Sequence, residues 1–267
     1  MNNRLVPMES PCAYHDEGKG LPLVFLHAFP LNASMWEPQA HALSGSFRVL
    51  RCDLPGFGES LPFEGACSMD RCADCVAAVL DTLRIDRAVL VGSSMGGYVS
   101  LAFAALYPSR LAGLVLAGTR AEADPPEARA RRRSLAADIR ARGIDPLVET
   151  LLPSLLSPVS IERDPSLRTR VERIMRAAPP ESAAVMLEAM AERPDRRTTL
   201  GGCTAPVCIV VGENDALTPP EHAHVMASLA PHAELHVFPH TGHLVNLEAP
   251  ERFNAVLAAF ASNIPFG

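Results

Sequence analysis

Six short apolar runs limit what this chain can fold into. They are Leu23 to His27 ("LVFLH"), Phe47 to Cys52 ("FRVLRC"), Arg87 to Gly92, Leu111 to Ala117 ("LAGLVLA"), Pro206 to Val211 ("PVCIVV") and Ala233 to Phe238 ("AELHVF"). Each reads as a strand. Helical patterns stand among them: Met69 to Leu83, Met95 to Leu106, Glu221 to Leu229 and Pro250 to Ala261. Strands alternating with helices predict an α/β fold with a mostly parallel sheet flanked by helices.

The alternation breaks once. From Thr119 to Arg197 there is no strand-like run, only helical stretches cut by prolines, such as "DPLVETLLPSLL" and "DPSLRTRVERIMRAA". The charge changes as well: Thr119 to Leu200 holds 15 Arg against 13 acidic residues, within a chain of net charge −6. The expected organisation is a core domain of residues 1–118 and 198–267, with residues 119–197 inserted as a helical cap, a candidate lid.

Composition narrows the function classes. The chain has 267 residues, 48% hydrophobic and 20% charged, as expected of a globular protein with a sizeable core. A net charge of −6 argues against nucleic-acid binding, which would need a basic stripe. No apolar run is long enough to span a bilayer, so no membrane association is expected. Residues Met1 to Ser10 lack a basic stretch followed by an apolar one, so the expectation is a cytoplasmic protein without a secretory leader. Seven cysteines do not suggest a disulfide framework. Cys67, Cys72 and Cys75 have an iron–sulfur-like spacing. However, Met69, Cys72, Val76, Val79, Leu80 and Leu83 recur at helical spacing, which puts Cys72 on an apolar helix face. No metal and no organic cofactor is expected.

Gly92-Ser93-Ser94-Met95-Gly96 carries the chemistry. It matches G-x-S-x-G, follows a strand and opens a helix. A serine on so sharp a turn needs small flanking residues. Only Ser94 has glycine at both −2 and +2, so it is the nucleophile candidate and Ser93 a neighbour. A serine hydroxyl needs a base, and the base needs an orienting acid. Asp215 follows the strand "PVCIVV" and His243 follows "AELHVF". All three lie past the carboxyl ends of strands, where parallel sheets place their sites.

With these motifs the chain resembles the α/β-hydrolase fold superfamily over essentially its whole length. The resemblance rests on "HAFP", "DLPGFGES", "GSSMGG", "GENDALTPP" and "TGHLVNLEAPERF", in family order. The segment "LAGTRAEADPPEARARR" looks like the lid entrance of small bacterial carboxylesterases and 3-oxoadipate enol-lactonases. The resemblance implies a Ser94–His243–Asp215 triad and an oxyanion hole of the Phe29 and Met95 backbone N–H groups. It also implies acyl transfer from a small-molecule ester or lactone to water. The family's usual His-Gly-x-Pro is here His27-Ala28-Phe29-Pro30. Serine at position 94 argues against epoxide opening and halide displacement, for which relatives use aspartate. Carbon–carbon hydrolysis, cofactor-free perhydrolysis and non-catalytic ligand binding remain open on the same triad.

Competing residues have plainer roles. Glu213 is expected to face solvent or bond locally, His240 to shape a turn, and His27 to orient its loop. Asp53 and Gly56 are expected to support the "DLPGFGES" turn. Leu217 and Val245 are expected pocket residues, and Trp36 is expected either to line the pocket or to pack in the core. Arg131, Arg132 and Arg133 read as a solvated helix face, or as the source of a cation for a substrate carboxylate.

Overall fold

Strands buried on both faces need apolar residues at successive positions, and the runs above supply them. A computed structural model describes residues 12–230 and 232–266, so the leader expectation for Met1 to Ser10 lies outside the described residues. The first half of the chain forms β1 (Tyr14–Gly18), β2 (Pro22–Leu26), α1 (Glu37–Leu43), β3 (Arg48–Cys52), α2 (Met69–Thr82), β4 (Ala88–Ser93), α3 (Met95–Leu106) and β5 (Leu111–Ala117). Six helices follow: α4 (Pro126–Arg142), α5 (Asp145–Leu155), α6 (Pro158–Arg163), α7 (Pro165–Arg176), α8 (Pro180–Ala191) and α9 (Arg197–Gly201). The chain closes with β6 (Val207–Gly212), α10 (Pro220–Leu229), β7 (Glu234–Phe238), α11 (Val245–Glu248) and α12 (Pro250–Ser262).

The strands form one sheet in the order β1-β3-β2-β4-β5-β6-β7. Only β1 runs antiparallel to its neighbour. This is the expected α/β architecture, with one strand more than the apolar runs indicate. That strand, Tyr14–Gly18, is half-exposed and carries no apolar run. Backbone pairing with β3 joins it to the sheet, and beside that ladder Arg48 pairs with Asp16 at 2.7 Å and Arg51 with Glu17 at 2.6 Å.

The alternating side chains of the strands feed two cores. Val24 and Leu26 of β2 join Leu90 and Ile209 on the side of α2 and α3. Leu23 and Phe25 join Val91 and Cys208 on the side of α12. The prolines that cut the helical stretch mark helix starts: α4, α5, α6, α7 and α8 each have proline at their first or second position. There the missing N–H costs nothing, because it would have had no helical partner.

Helix α3 and strand β2 approach each other closely. A Cβ added at Gly96 would sit 2.1 Å from the Leu26 carbonyl oxygen, a backbone atom that cannot step aside. Gly96→Ala is therefore expected to destabilise the protein by about 1–3 kcal/mol or more through overpacking. Urea unfolding of the variant beside the parent checks this.

Candidate active site

Ser94 stands between β4 and α3 with φ +51° and ψ −110°, a conformation that non-glycine residues seldom adopt. Hydrogen bonds on both sides hold it there. Its N–H donates to Ala117 O at 2.9 Å, and its carbonyl accepts from Gly97 N at 2.9 Å and Thr119 Oγ1 at 2.8 Å. The flanking glycines are required by contact: a Cβ at Gly92 would lie 2.4 Å from Gly96 O. Ser93 is fully buried with an unpartnered Oγ, whereas Ser94 lines a cavity.

Asp215 and His243 are both buried. His243 Nδ1 lies 3.0 and 2.9 Å from the two Asp215 oxygens. Asp215 is fixed further by Leu217 N and Thr218 N, each at 2.9 Å, and by Thr218 Oγ1 at 2.7 Å. Burial pushes the Asp215 carboxyl up. The charge and hydrogen bond of His243 and the Thr218 donors outweigh this and hold it below its ordinary value. An ionised Asp215 keeps the Nδ1 proton of His243 in place and leaves Nε2 as the proton acceptor. Glu213 instead accepts the exposed His240 backbone N–H at 3.0 Å, and His240 sits at φ +60°, a turn residue.

The loop after β2 is pinned by His27. Its Nε2 accepts from Leu54 N at 2.9 Å, and Nδ1 lies 3.0 Å from Ala28 O. Asp53, buried in the next loop, accepts from Ala33 N at 2.7 Å and Glu59 N at 2.9 Å. Ala28 is fully buried and donates its N–H to Met35 Sδ at 3.2 Å. Phe29 lines the cavity. Met95 opens α3, where backbone N–H groups have no helical acceptor.

The cavity measures about 540 Å³, within the range of small-molecule sites. Its floor includes Ser94, His243, Phe29, Leu217 and Thr218, and α4, α5 and α8 supply much of the remaining wall. Leu217 lies where expected. Trp36 and Val245 do not line the cavity. Trp36 is buried against Phe25 and Phe253, with ring centroids 5.1 and 5.9 Å away, and Val245 is buried in the same core. Proximity in sequence to a site motif placed both among the candidate pocket residues, but their side chains turn into the sheet–helix interface.

The cysteine spacing resolves as packing. Cys72 and Cys75 are buried on α2, and Cys67 Sγ lies 4.0 Å from Cys72 Sγ. Among the described residues, the Cys, His and acidic side chains close enough to share an ion are Cys208, Glu234 and His236, none of which lines the cavity.

Sequence reasoning missed Glu248. It is buried and accepts from Gly242 N at 2.8 Å, Leu244 N at 3.2 Å and Ser157 N at 2.9 Å. It thus grips the backbone on both sides of His243 and ties that loop to the inserted helices. Its one visible signal was its place in "HLVNLEAP". Thr218 was missed too, although it follows Asp215 by the three residues of a tight turn.

A family model described as alpha/beta hydrolase fold matches residues 22–250. The chain is 34% identical, over 92% of its length and 89% of the relative's, to a 2-hydroxy-6-oxononadienedioate/2-hydroxy-6-oxononatrienedioate hydrolase of Burkholderia vietnamiensis. It is 28% identical to 3-oxoadipate enol-lactonase 2 of Acinetobacter baylyi, over 89% of this chain and 87% of that one. It is also 34% identical, over 90% of its length, to the dihydrolipoyllysine-residue acetyltransferase component of the acetoin cleaving system of Pseudomonas putida, and spans only 63% of that relative. Among solved structures, a thermophilic esterase from Thermogutta terrifontis, malate bound, matches with a TM-score of 0.92 and 38% identity, covering 94% of this chain and 93% of that one.

Two predictions come from this geometry. Burial pushes the His27 imidazole below its ordinary value of 6.5, against the pull of Asp53 and Ala28 O. The unfolded chain therefore binds a proton there that the folded chain resists, so stability falls as pH drops below about 6.5. Urea midpoints measured from neutral to mildly acidic pH are expected to decline less steeply in His27→Gln than in the parent. In Glu248→Gln, one of the gripping oxygens becomes a donor facing backbone N–H groups. A loss of about 1–3 kcal/mol is expected by urea unfolding.

Proposed function

The chain belongs to the alpha/beta hydrolase fold family, and on that premise we propose that it is a serine hydrolase of small carboxylic esters or lactones. One observation carries this reading: the strained Ser94 and His243, whose Nδ1 pairs with Asp215, both line one cavity. His243 Nε2 takes the Ser94 proton as Oγ attacks the substrate carbonyl. The Phe29 and Met95 N–H groups donate to the oxygen that gains the electron pair. Collapse breaks the carbon–oxygen bond to the alcohol, which leaves with the proton returned by His243. Water, deprotonated by the same imidazole, then attacks the acyl-serine. The carboxylic acid is released and Ser94 recovers its proton.

In this reading residues 119–197 act as a lid. The helices α4, α5 and α8 supply the apolar wall, through Leu135, Leu147, Leu151, Leu187 and Met190, that would hold an acyl chain. The esterase and the enol-lactonase among the similar proteins support ester and lactone cleavage; the Burkholderia relative keeps carbon–carbon cleavage as the competing outcome.

Initial rates on p-nitrophenyl esters and a γ-lactone, with the parent and Ser94→Ala, test the proposal. Turnover is expected to fall by at least about a thousandfold in Ser94→Ala, with the urea midpoint little changed. Retained turnover in a folded Ser94→Ala protein would overturn the assignment.

A further inference from the structure

Ester cleavage does not use the most heavily charged part of the cavity wall. The Asp124 side chain is fully buried. Its carboxylate accepts from Arg120, from Arg132 Nε at 2.6 Å and from Arg193 at 2.8 Å, and its carbonyl accepts from Arg129 Nε at 3.0 Å. Burial pushes this carboxyl up, but Arg193 and Arg132 outweigh it and hold it far below the ordinary carboxylate range. Asp124 is thus ionised, and its oxygens are committed to three guanidinium groups.

The local charge does not balance. Glu122, two residues before Asp124, lies 3.6 Å from His222 and keeps one buried oxygen unpartnered. The charged side chains of Arg, Lys, Asp and Glu that line the cavity are Arg120, Arg131, Arg132 and Asp138, an excess of two positive charges. Arg193 is buried over the Tyr98 ring at 4.0 Å and backs the wall. Arg120, Arg132 and Tyr98 line the cavity itself. Arg131 lines it too, and makes no hydrogen bond or ion pair with a described residue. Helical spacing puts Ala128, Arg131, Arg132 and Leu135 on one face of α4. The cavity's own acid, Asp138, is seven residues further along α4, about 10 Å from Arg131 along the axis.

We infer that the Arg120–Arg131–Arg132 wall is a carboxylate subsite, with Arg131 as the free fork and the buried Asp124 cluster holding the other two in place. The substrates it selects are esters or lactones that carry a second, ionised carboxylate. This rests on the hydrolase reading and narrows it. A guanidinium binds a carboxylate with two parallel hydrogen bonds; Arg131 is exposed, so its attraction for a carboxylate weakens with salt.

The experiment measures kcat/KM for monomethyl succinate, adipate and suberate beside methyl butyrate, hexanoate and octanoate. It uses the parent, Arg131→Gln and Arg131→Lys, and reads the ratio of charged to uncharged ester. The parent is expected to favour the half-ester roughly tenfold or more at its best chain length. Arg131→Gln is expected to remove most of that ratio, Arg131→Lys to keep part of it, and added salt to narrow it. A parent ratio at or below one for every chain length would overturn the subsite, as would an equal loss of both series in Arg131→Gln. Calorimetric titration of adipate and suberate into Ser94→Ala, with and without Arg131→Gln, separates the two readings. Arg131-dependent binding without turnover in the parent keeps the subsite and sinks the hydrolase. Serine-dependent turnover with neither preference nor Arg131-dependent binding does the reverse.

Discussion

The backbone at Ser94 is the constraint on which the rest depends. A serine at φ +51° is unfavourable by itself, and it persists because three separate strands and helices close around it. β5 supplies the acceptor at Ala117, Thr119 bonds the carbonyl, and α3 begins immediately after. α3 can begin there only because Gly96 lets it press against Leu26 of β2. The turn is thus held by the sheet's carboxyl edge, and that same edge carries the loops of Asp215 and His243. Parallel strands bring all three to one rim, so the site follows from the direction of the strands as much as from the residues themselves.

The inserted helices are not hung on this core by their two chain connections alone. Leu155 O accepts both His243 N and Leu244 N at 3.2 Å, and Ser157 N donates to Glu248 at 2.9 Å. The end of α5 is therefore bonded to the histidine loop itself. Movement of the cavity roof at this point would disturb His243. The α4 and α8 side has no such tie to the histidine loop among the described residues, and its packing is mostly of α4 along α8. Any opening compatible with a fixed imidazole would start on that side, where Arg131 and Arg132 stand.

How much of this was legible in the sequence depended on the range of the interaction involved. Apolar runs and glycine spacing are local, so the sheet, the elbow and the loops of Asp215 and His243 could be read directly. β1 could not, because it is an edge strand held by backbone pairing with β3 and flanked by ion pairs to Arg48 and Arg51, and it carries no apolar run. The tie that Glu248 makes to the inserted helices was also out of reach, because Ser157 lies 91 residues away in sequence. Trp36 and Val245 as pocket residues show the opposite error. They sit close in sequence to the site loops, but side-chain direction turns them into the core beside Phe25 and Phe253. The arginine run of α4 divides residue by residue: Arg132 turns to Asp124, Arg133 pairs on the surface with Glu192, and Arg131 faces the cavity.

That division bears on why a buried carboxylate is kept among so many cations. An ion pair buried in apolar surroundings is seldom a net gain in stability, since desolvation offsets much of the attraction. Here Asp124 receives three guanidinium groups, more than charge neutrality requires. A residue selected only for packing would be better served by an apolar side chain of similar size. What Asp124 does supply is direction: it fixes Arg120 and Arg132 at the cavity wall, at a cost in desolvation that surface arginines would avoid. The cluster makes physical sense as a preorganised cationic wall, assembled before any ligand arrives, so that little side-chain entropy is left to lose on binding.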